Sequence, residues 1–270
     1  MAQHSGVETM NHLESVFGVP HPVALVTGSG ARRIGNCLVR VLAERGYRIV
    51  VHSHLAREQA QATVRQLSGK TEAICVTADL RREEAVGKMF AQTMSHFGRL
   101  DVLVNCAAIW DAKPLEKVTA TDVQQHFEIN TLGTFLCCQQ AGMQMVGQKF
   151  GGAIVNLGDW AVVRPYMDHT AYFSSKGAIP AMTRSFAVEL SQRNPRIRVN
   201  AVLPGPVMLP PELPESARQE AIEGTLVRRE GAPEHVAHAV IFLLENDFVT
   251  GVCLPVDGGR SVFAPQRLAP

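Results

Sequence analysis

Short apolar runs alternate with longer amphipathic stretches along most of the chain, and this alternation constrains the fold more than any other feature. The seven runs are rich in Val, Ile and Leu, at residues 23–27, 48–52, 73–77, 101–105, 153–157, 197–202 and 252–256. Little period-two alternation within a run is typical of strands covered on both faces. Helical periodicity separates the runs, at residues 34–45, 56–68, 83–97, 121–147, 172–192 and 233–244. The sequence therefore predicts an α/β fold, a single doubly wound domain with a seven-stranded, mostly parallel sheet flanked by helices.

The predicted domain covers residues 22–263. Residues 1–21 are expected to form a flexible N-terminal tail with no signal peptide, and residues 264–270 a C-terminal tail. Residues 204–233 are dense in proline, with one short helical pattern near 216–223. Long irregular segments in compact domains are usually functional, so we interpret this one as a substrate loop or lid, with a plain surface excursion as the alternative.

The net charge and the cysteine spacing limit the kinds of partner that the chain is expected to bind. The net charge is +1, and basic residues are not clustered, so neither a nucleic acid nor a membrane is expected as a partner. The six cysteines form no C-x-x-C pair and lack the spacing of a metal site, so no metal is expected. Their pattern favours a reducing, cytoplasmic setting for an enzyme that acts on a small molecule.

A glycine-rich turn follows the first predicted strand, from Gly28 to Gly35, and a helix is expected to begin near Ile34. Glycine allows close approach to a pyrophosphate, and a helix N-terminus presents free N–H groups to it. This arrangement is typical of a Rossmann-type dinucleotide site.

The end of the second strand indicates which dinucleotide is bound. An acidic residue there would bind the ribose 2′-hydroxyl of NAD, but the sequence has none between His52 and Arg57. Arg32 and Arg33 lie in the glycine loop, which is expected to be adjacent, and together with His54 they suit a 2′-phosphate. We therefore predict NADPH/NADP as the cofactor.

An ordered set of motifs resembles the short-chain dehydrogenase/reductase family. The set consists of Gly28 after the first strand, Asp79 after the third, Asn105-Cys-Ala-Ala108 after the fourth, Asn130 in a helix, Tyr172-Phe-Ser-Ser-Lys176, and Pro204-Gly205 after the sixth strand. The resemblance implies that Tyr172 donates a proton, Lys176 holds the nicotinamide ribose and Asn130 organises a water. It also implies that Asn105 lies beside the adenine-side ribose. The implied cofactor-binding set is Gly28, Arg32, Arg33, Ile34, Gly35, His54, Asp79, Leu80, Asn105, Ala107, Tyr172, Lys176, Pro204 and Gly205.

Elementary chemistry supports the Tyr172–Lys176 pair. Residues four apart share a helix face, and a neighbouring ammonium favours the phenolate. We expect Lys176 to lower the pKa of Tyr172 toward the working pH.

Three positions depart from the family pattern. Arg33 occupies the place of the middle glycine, the N-A-G element reads Asn105-Cys-Ala-Ala108, and Asp159 stands thirteen residues before Tyr172, where the family carries serine. These departures resemble the pteridine reductase branch, together with bacterial dihydromonapterin/dihydrofolate reductases. That resemblance implies a catalytic set of Asp159, Tyr172, Lys176 and Asn130, and a pterin-like substrate stacked on Trp110 or Trp160.

Two alternatives stay open at this point. A carbonyl reductase acting on a 3-oxoacyl, sugar or other ketone would share the fold, although an ionised Asp159 could only accept hydrogen bonds, whereas a carbonyl oxygen that gains negative charge needs donors. A non-catalytic NADP-binding sensor would explain the missing serine. Family analogy predicts a homo-oligomer, namely a tetramer, paired through apolar positions on the helices near 121–147 and 172–192. These positions are Phe135, Leu136, Cys137, Ile179, Met182 and Phe186.

Overall fold

The computed structural model describes residues 12–263 and contains one seven-stranded sheet. Its strands are β1 (Val23–Val26), β2 (Arg48–Ser53), β3 (Ala73–Thr77), β4 (Val102–Asn105), β5 (Gly152–Leu157), β6 (Ile197–Pro204) and β7 (Cys253–Val256). They lie in the order β3-β2-β1-β4-β5-β6-β7, and all six pairings are parallel. The predicted fold class and sheet are confirmed.

Helices cover both faces of the sheet, as the apolar character of the strands requires. They are α1 (His12–Phe17), α2 (Ile34–Glu44), α3 (Arg57–Leu67), α4 (Glu83–Phe97), α5 (Ala120–His126), α6 (Gly133–Val146), α7 (Thr170–Ser191), α8 (Glu215–Glu223) and α9 (Pro233–Glu245). One core cluster packs α2 and α9 against the sheet, and the other packs α4 and α6 against the opposite face. Successive strand residues point to opposite faces of the sheet, so Leu25 and Val26, for example, belong to different clusters.

The helix predicted over 121–147 is interrupted. A capping box between Thr119 and Asp122 begins α5, but residues Phe127–Leu132 form a π-helical turn before α6 continues. Isolated π-turns are frequent at functional sites, and this one contains Asn130.

Residues 12–21 correct the predicted boundary of the N-terminal tail, while residues 1–11 and the predicted C-terminal tail, 264–270, lie outside the described residues. In α1, Leu13 and Phe17 are buried within the first core cluster, and Phe17 meets Tyr47 edge-on with ring centroids 6.0 Å apart. The sequence analysis found no helix here because Leu13, Val16 and Phe17, although at helical spacing, span too short a window to establish a period.

The segment predicted as a lid is folded in the structure. It contains α8, the Arg218 guanidinium lies 2.6 Å from a Glu230 carboxylate oxygen, and Val207 forms an isolated bridge with Gly231. These contacts close the segment into a compact flap beside the end of β6.

Candidate active site

The glycine turn is pressed against the end of β4, where the strand order reverses. Gly28 has φ +65°, and a Cβ atom there would lie 2.8 Å from the Cα of Ala107. The Thr27 hydroxyl oxygen accepts the backbone N–H groups of Cys106 and Ala107, at 3.0 and 3.1 Å. Only glycine fits this approach, and the crevice at such a reversal is where α/β sheets bind ligands.

His52 fixes the turn from β2 and was missed in the sequence analysis, which selected His54 instead. The Gly28 N–H donates to His52 Nδ1 at 3.0 Å, while His52 Nε2 lies 3.1 Å from the carbonyl oxygen of Ala78. Because a carbonyl only accepts, Nε2 carries the hydrogen and Nδ1 is the acceptor. Burial lowers the pKa of His52 to about 4, which favours the neutral ring. A polar residue within an apolar run was the available signal.

The residues predicted to bind phosphate lie at the edge of this crevice. Arg32 and Arg33 are exposed, and Arg33 precedes α2 without making a side-chain cap bond to its first turn. The first-turn N–H groups near Ile34 and Gly35 therefore suit an anion, and the residues present fit a dinucleotide.

Asp79 and His54 lie at the neighbouring strand end. The Asp79 carboxylate accepts three hydrogen bonds from the Arg81 side chain, the shortest at 2.7 Å, and His54 Nε2 is 3.9 Å away. Hydrogen bonding from Arg81 holds the pKa of the Asp79 carboxyl at about 2. The sequence analysis missed Arg81, while the adjacent Leu80 is buried as part of the core.

Asn105 lies at the end of β4, and its predicted place beside the adenine-side ribose stays a prediction. Its side chain is buried, and its Nδ2 donates to the Asn156 Oδ1 on β5 at 2.9 Å. The Asn105 Oδ1 is buried and has no hydrogen-bond partner within the described residues. At the end of β6, Pro204 precedes Gly205, where a Cβ atom would lie 2.4 Å from the Asp257 backbone.

Asn130 connects three parts of the site. Its Oδ1 accepts the Ile109 N–H at 2.9 Å, and its Nδ2 donates to the Ile109 carbonyl at 3.1 Å and to the Ser175 hydroxyl at 2.9 Å. The π-turn, the loop after β4 and α7 are thereby held together.

Tyr172 and Asp159 form a buried pair. The Tyr172 hydroxyl donates to Asp159 Oδ2 at 2.7 Å, and Asp159 Oδ1 accepts the Ala161 N–H at 2.8 Å. Asp159 thus caps a short turn and also binds the tyrosine. Within the described residues Asp159 makes no ion pair with the nearby Arg164, which instead donates to the backbone carbonyl of Arg260.

Burial dominates the electrostatics of this pair. It raises the pKa of Asp159, and burial together with the adjacent Asp159 charge raises the pKa of Tyr172 well above its usual value. Lys176 Nζ donates to the Leu157 carbonyl at 2.7 Å, and burial lowers the pKa of Lys176. The prediction that Lys176 lowers the pKa of Tyr172 is therefore wrong for this structure, because burial and the adjacent Asp159 carboxylate raise that pKa.

Aromatic rings cover the pair. Trp110 is 39% exposed and stacks on His169 with ring centroids 4.7 Å apart, while its indole N–H donates to the Tyr166 hydroxyl at 3.2 Å. Trp160 is buried and stacks on Tyr166. Of the two predicted tryptophans, Trp110 is the one exposed enough to meet a ligand ring, and the sequence analysis missed Tyr166 and His169.

Comparison with known proteins adds a further line of evidence. A family model described as enoyl-(acyl carrier protein) reductase matches residues 30–261. A subunit of (2S)-[(R)-hydroxy(phenyl)methyl]succinyl-CoA dehydrogenase from Thauera aromatica is 36% identical, over 92% of this chain and 100% of its own length. Carbonyl reductase family member 4 from Danio rerio is 37% identical, over 88% of this chain and 97% of its own length. The human 3-oxoacyl-[acyl-carrier-protein] reductase is 34% identical, over 85% of this chain and 94% of its own length.

A solved structure is also similar. A protein from Sinorhizobium meliloti 1021, described as a short-chain alcohol dehydrogenase, superposes with a TM-score of 0.84 at 30% identity, over 91% of this chain and 98% of its own. Within residues 12–263, no helix has the length and apolar character needed to cross a membrane.

Proposed function

The chain belongs to the short-chain dehydrogenase/reductase family, and on that premise we propose that it is an NADPH-dependent reductase of a pteridine-type C=N bond. The observation that carries this proposal is the 2.7 Å hydrogen bond from the Tyr172 hydroxyl to Asp159. Such a pair can hold and transfer a proton beside a substrate nitrogen.

The cofactor-binding role falls to the crevice at the ends of β1 and β4. Gly28 and Gly35 leave room for the pyrophosphate, and Arg32, Arg33 and His54 supply charge or donors for a 2′-phosphate. When bound, the reduced nicotinamide supplies a hydride to the substrate carbon. Lys176, buried at the base of the site, is proposed to orient the nicotinamide ribose.

Proton delivery falls to Tyr172 and Asp159. Reduction of C=N adds the hydride to carbon and one proton to nitrogen, so the Tyr172 hydroxyl must lose its proton as the nitrogen gains it. A phenolate and an ionised carboxylate 2.7 Å apart would repel each other, which favours transfer from a pair in which Asp159 is protonated. After transfer, the remaining proton is shared between the two oxygens. Asn130, through Ile109 and Ser175, keeps α7 in place.

A second candidate is a carbonyl reductase acting on a 3-oxoacyl or other ketone. The names of the relatives favour it, since they include carbonyl and 3-oxoacyl reductases. An ionised Asp159 opposes it, because the developing alkoxide would meet a carboxylate instead of a donor.

An NADPH-oxidation screen separates the candidates. We expect steady turnover with 7,8-dihydropterins and little with ethyl acetoacetate or 3-oxoacyl thioesters. Turnover confined to ketones would refute the pteridine proposal and support the carbonyl one. NADPH binding without turnover of any substrate would indicate a sensor instead.

A further inference from the structure

Two histidines flank Tyr172. The rings of His126, on α5, and His169, which precedes α7, each have their centroid 6.4 Å from that of Tyr172. Both approach edge-on, with interplanar angles of 73° and 77°. His126 is only 4% exposed and His169 only 7%. Neither residue has a part in the proton transfer described above.

Their hydrogen bonds fix the hydrogen on one nitrogen of each ring. His126 Nδ1 lies 2.8 Å from the carbonyl oxygen of Asp122, and His169 Nδ1 lies 2.9 Å from that of Met167. Because carbonyl oxygens only accept, each Nδ1 carries a hydrogen, and in the neutral ring each Nε2 is an acceptor.

Neither acceptor is used by the protein itself. Within the described residues, both Nε2 atoms are buried and have no hydrogen-bond partner. An oxygen of Asp111 lies 3.9 Å from His126 Nε2, beyond hydrogen-bond distance, and when ionised it cannot donate. A buried acceptor without a donor destabilises a fold, so such atoms are few in native proteins and call for an explanation.

The surroundings of Tyr172 are therefore rich in acceptors. The Asp159 carboxylate contacts its hydroxyl, and an unpartnered Nε2 belongs to the ring on either side. Trp110 stacks on His169 and is half-exposed, so it separates this group from solvent. A ligand ring that enters beside Trp110, in the plane of the His169 ring, would direct its edge toward these acceptors.

We propose that His126 and His169 determine specificity by accepting hydrogen bonds from N–H donors of the substrate through Nε2. The ligand class is an amino-substituted nitrogen heterocycle, because such a ring offers several N–H donors at its edge, whereas a simple ketone offers none. This inference rests on the proposed pteridine reduction, and it names the residues that would select that ring.

Binding can be measured apart from turnover. The probes are pterin and 4-oxopteridine, which lacks the 2-amino group, titrated calorimetrically with NADP⁺ present. We expect the unchanged protein to bind pterin about 10-fold more tightly, as one hydrogen bond predicts. His169→Phe keeps a ring against Trp110 and should remove most of this difference, while His169→Gln, which restores a polar atom near Nε2, should recover part of it. His126→Phe should weaken pterin binding by about 10-fold.

His96→Phe is the matched control, since His96 is exposed and pairs with Glu72. It should leave both affinities unchanged. A merely structural role for the two histidines would lower the melting temperature of their Phe variants and leave the preference for pterin intact, which would overturn the inference. Unaltered discrimination in both Phe variants of a protein that reduces dihydropterins would refute the histidine role alone. Selective pterin binding that depends on His169, without any dihydropterin reduction, would refute the proposed function alone. Failure to bind pterin at all would refute both.

Discussion

Replacing Asp159 with asparagine removes the ionisable carboxyl group and keeps a side chain of nearly the same shape. The amide oxygen can still accept the Ala161 N–H, which now reaches Asp159 Oδ1 at 2.8 Å. The amide nitrogen, however, replaces the oxygen that accepts from Tyr172 at 2.7 Å. The amide nitrogen can donate to Tyr172, but it carries no acidic proton that the two groups could share.

The size of the effect follows from the lost interaction. Once Tyr172 has given up its proton, the proton shared with Asp159 forms a hydrogen bond to a charged group, which contributes about 1.5–3 kcal/mol, and each 1.36 kcal/mol changes a rate about tenfold. We therefore expect Asp159→Asn to lower kcat by roughly 10- to 150-fold on a dihydropterin, with NADPH affinity unchanged.

The pH profile provides a sharper assay. Burial raises the pKa of Asp159, and the proposed transfer requires a proton on that carboxyl. In the unchanged enzyme, kcat/KM should fall as the pH rises through this pKa. Asp159→Asn has no carboxyl to ionise, so this decline should disappear when kcat/KM is measured from about pH 5 to about pH 9.

Stability should move in the opposite direction to activity. Because the folded state raises the pKa of Asp159, it binds this proton more tightly than the unfolded chain, and the ionised form destabilises the fold at higher pH. Asp159→Asn should therefore raise the melting temperature above this pKa. Asp122→Asn is the control of opposite sign, since hydrogen bonds from Lys113 and Thr119 lower the pKa of Asp122. An Asp159→Asn enzyme with the original rate and pH profile would refute the proton-sharing argument.

Four further predictions concern other parts of the molecule. Tyr172→Phe should reduce turnover by about 10²–10⁴-fold in steady-state assays while NADPH still binds, and near-normal turnover would exclude Tyr172 as the proton donor. NADPH should give a higher kcat/KM than NADH, and Arg33→Ala should lower the ratio of the NADPH value to the NADH value. Arg193→Ala, just beyond the far end of α7, should leave that ratio unchanged. The lowered pKa of His52, about 4, predicts that unfolding free energy decreases by up to about 3 kcal/mol as the pH falls from 6.5 toward 4; denaturant titrations should show this loss, and His52→Gln should flatten it. Light scattering at micromolar concentration should give a tetramer, and Phe135→Glu should give a smaller species, because Phe135 is 42% exposed beside Phe186; a monomer of the unchanged chain would contradict the oligomer.

The sequence predicted the sheet well because each strand is a continuous apolar run bounded by turns. The family resemblance also implied that Asp159 lies beside Tyr172, and in the structure the end of β5 and the first turn of α7 bring the two together. The sequence could not predict which side chains contact each other. Two hydrogen bonds illustrate this, from Asn105 to Asn156 and from Lys176 to the Leu157 carbonyl. Both depend on neighbouring strands and on burial, which no local sequence pattern encodes.

The apolar residues of a helix likewise did not show whether they pack inside the chain or against another subunit. Leu136, Cys137 and Ile179 were predicted to lie between subunits, but they are buried within this chain, whereas Phe135 is exposed. The helices over these positions pack against the sheet and against each other, so their apolar residues extend beyond one face without requiring a partner.

The π-turn at Phe127–Leu132 has a consequence for how such a chain can change over evolution. Deleting one residue from it would let α5 and α6 join as a regular α-helix, with a full set of internal hydrogen bonds. One residue of an α-helix corresponds to about 100° of rotation, so Asn130 would turn away from Ile109 and Ser175. A lineage that made this deletion would gain a more regular helix and lose the contacts of Asn130 at the site.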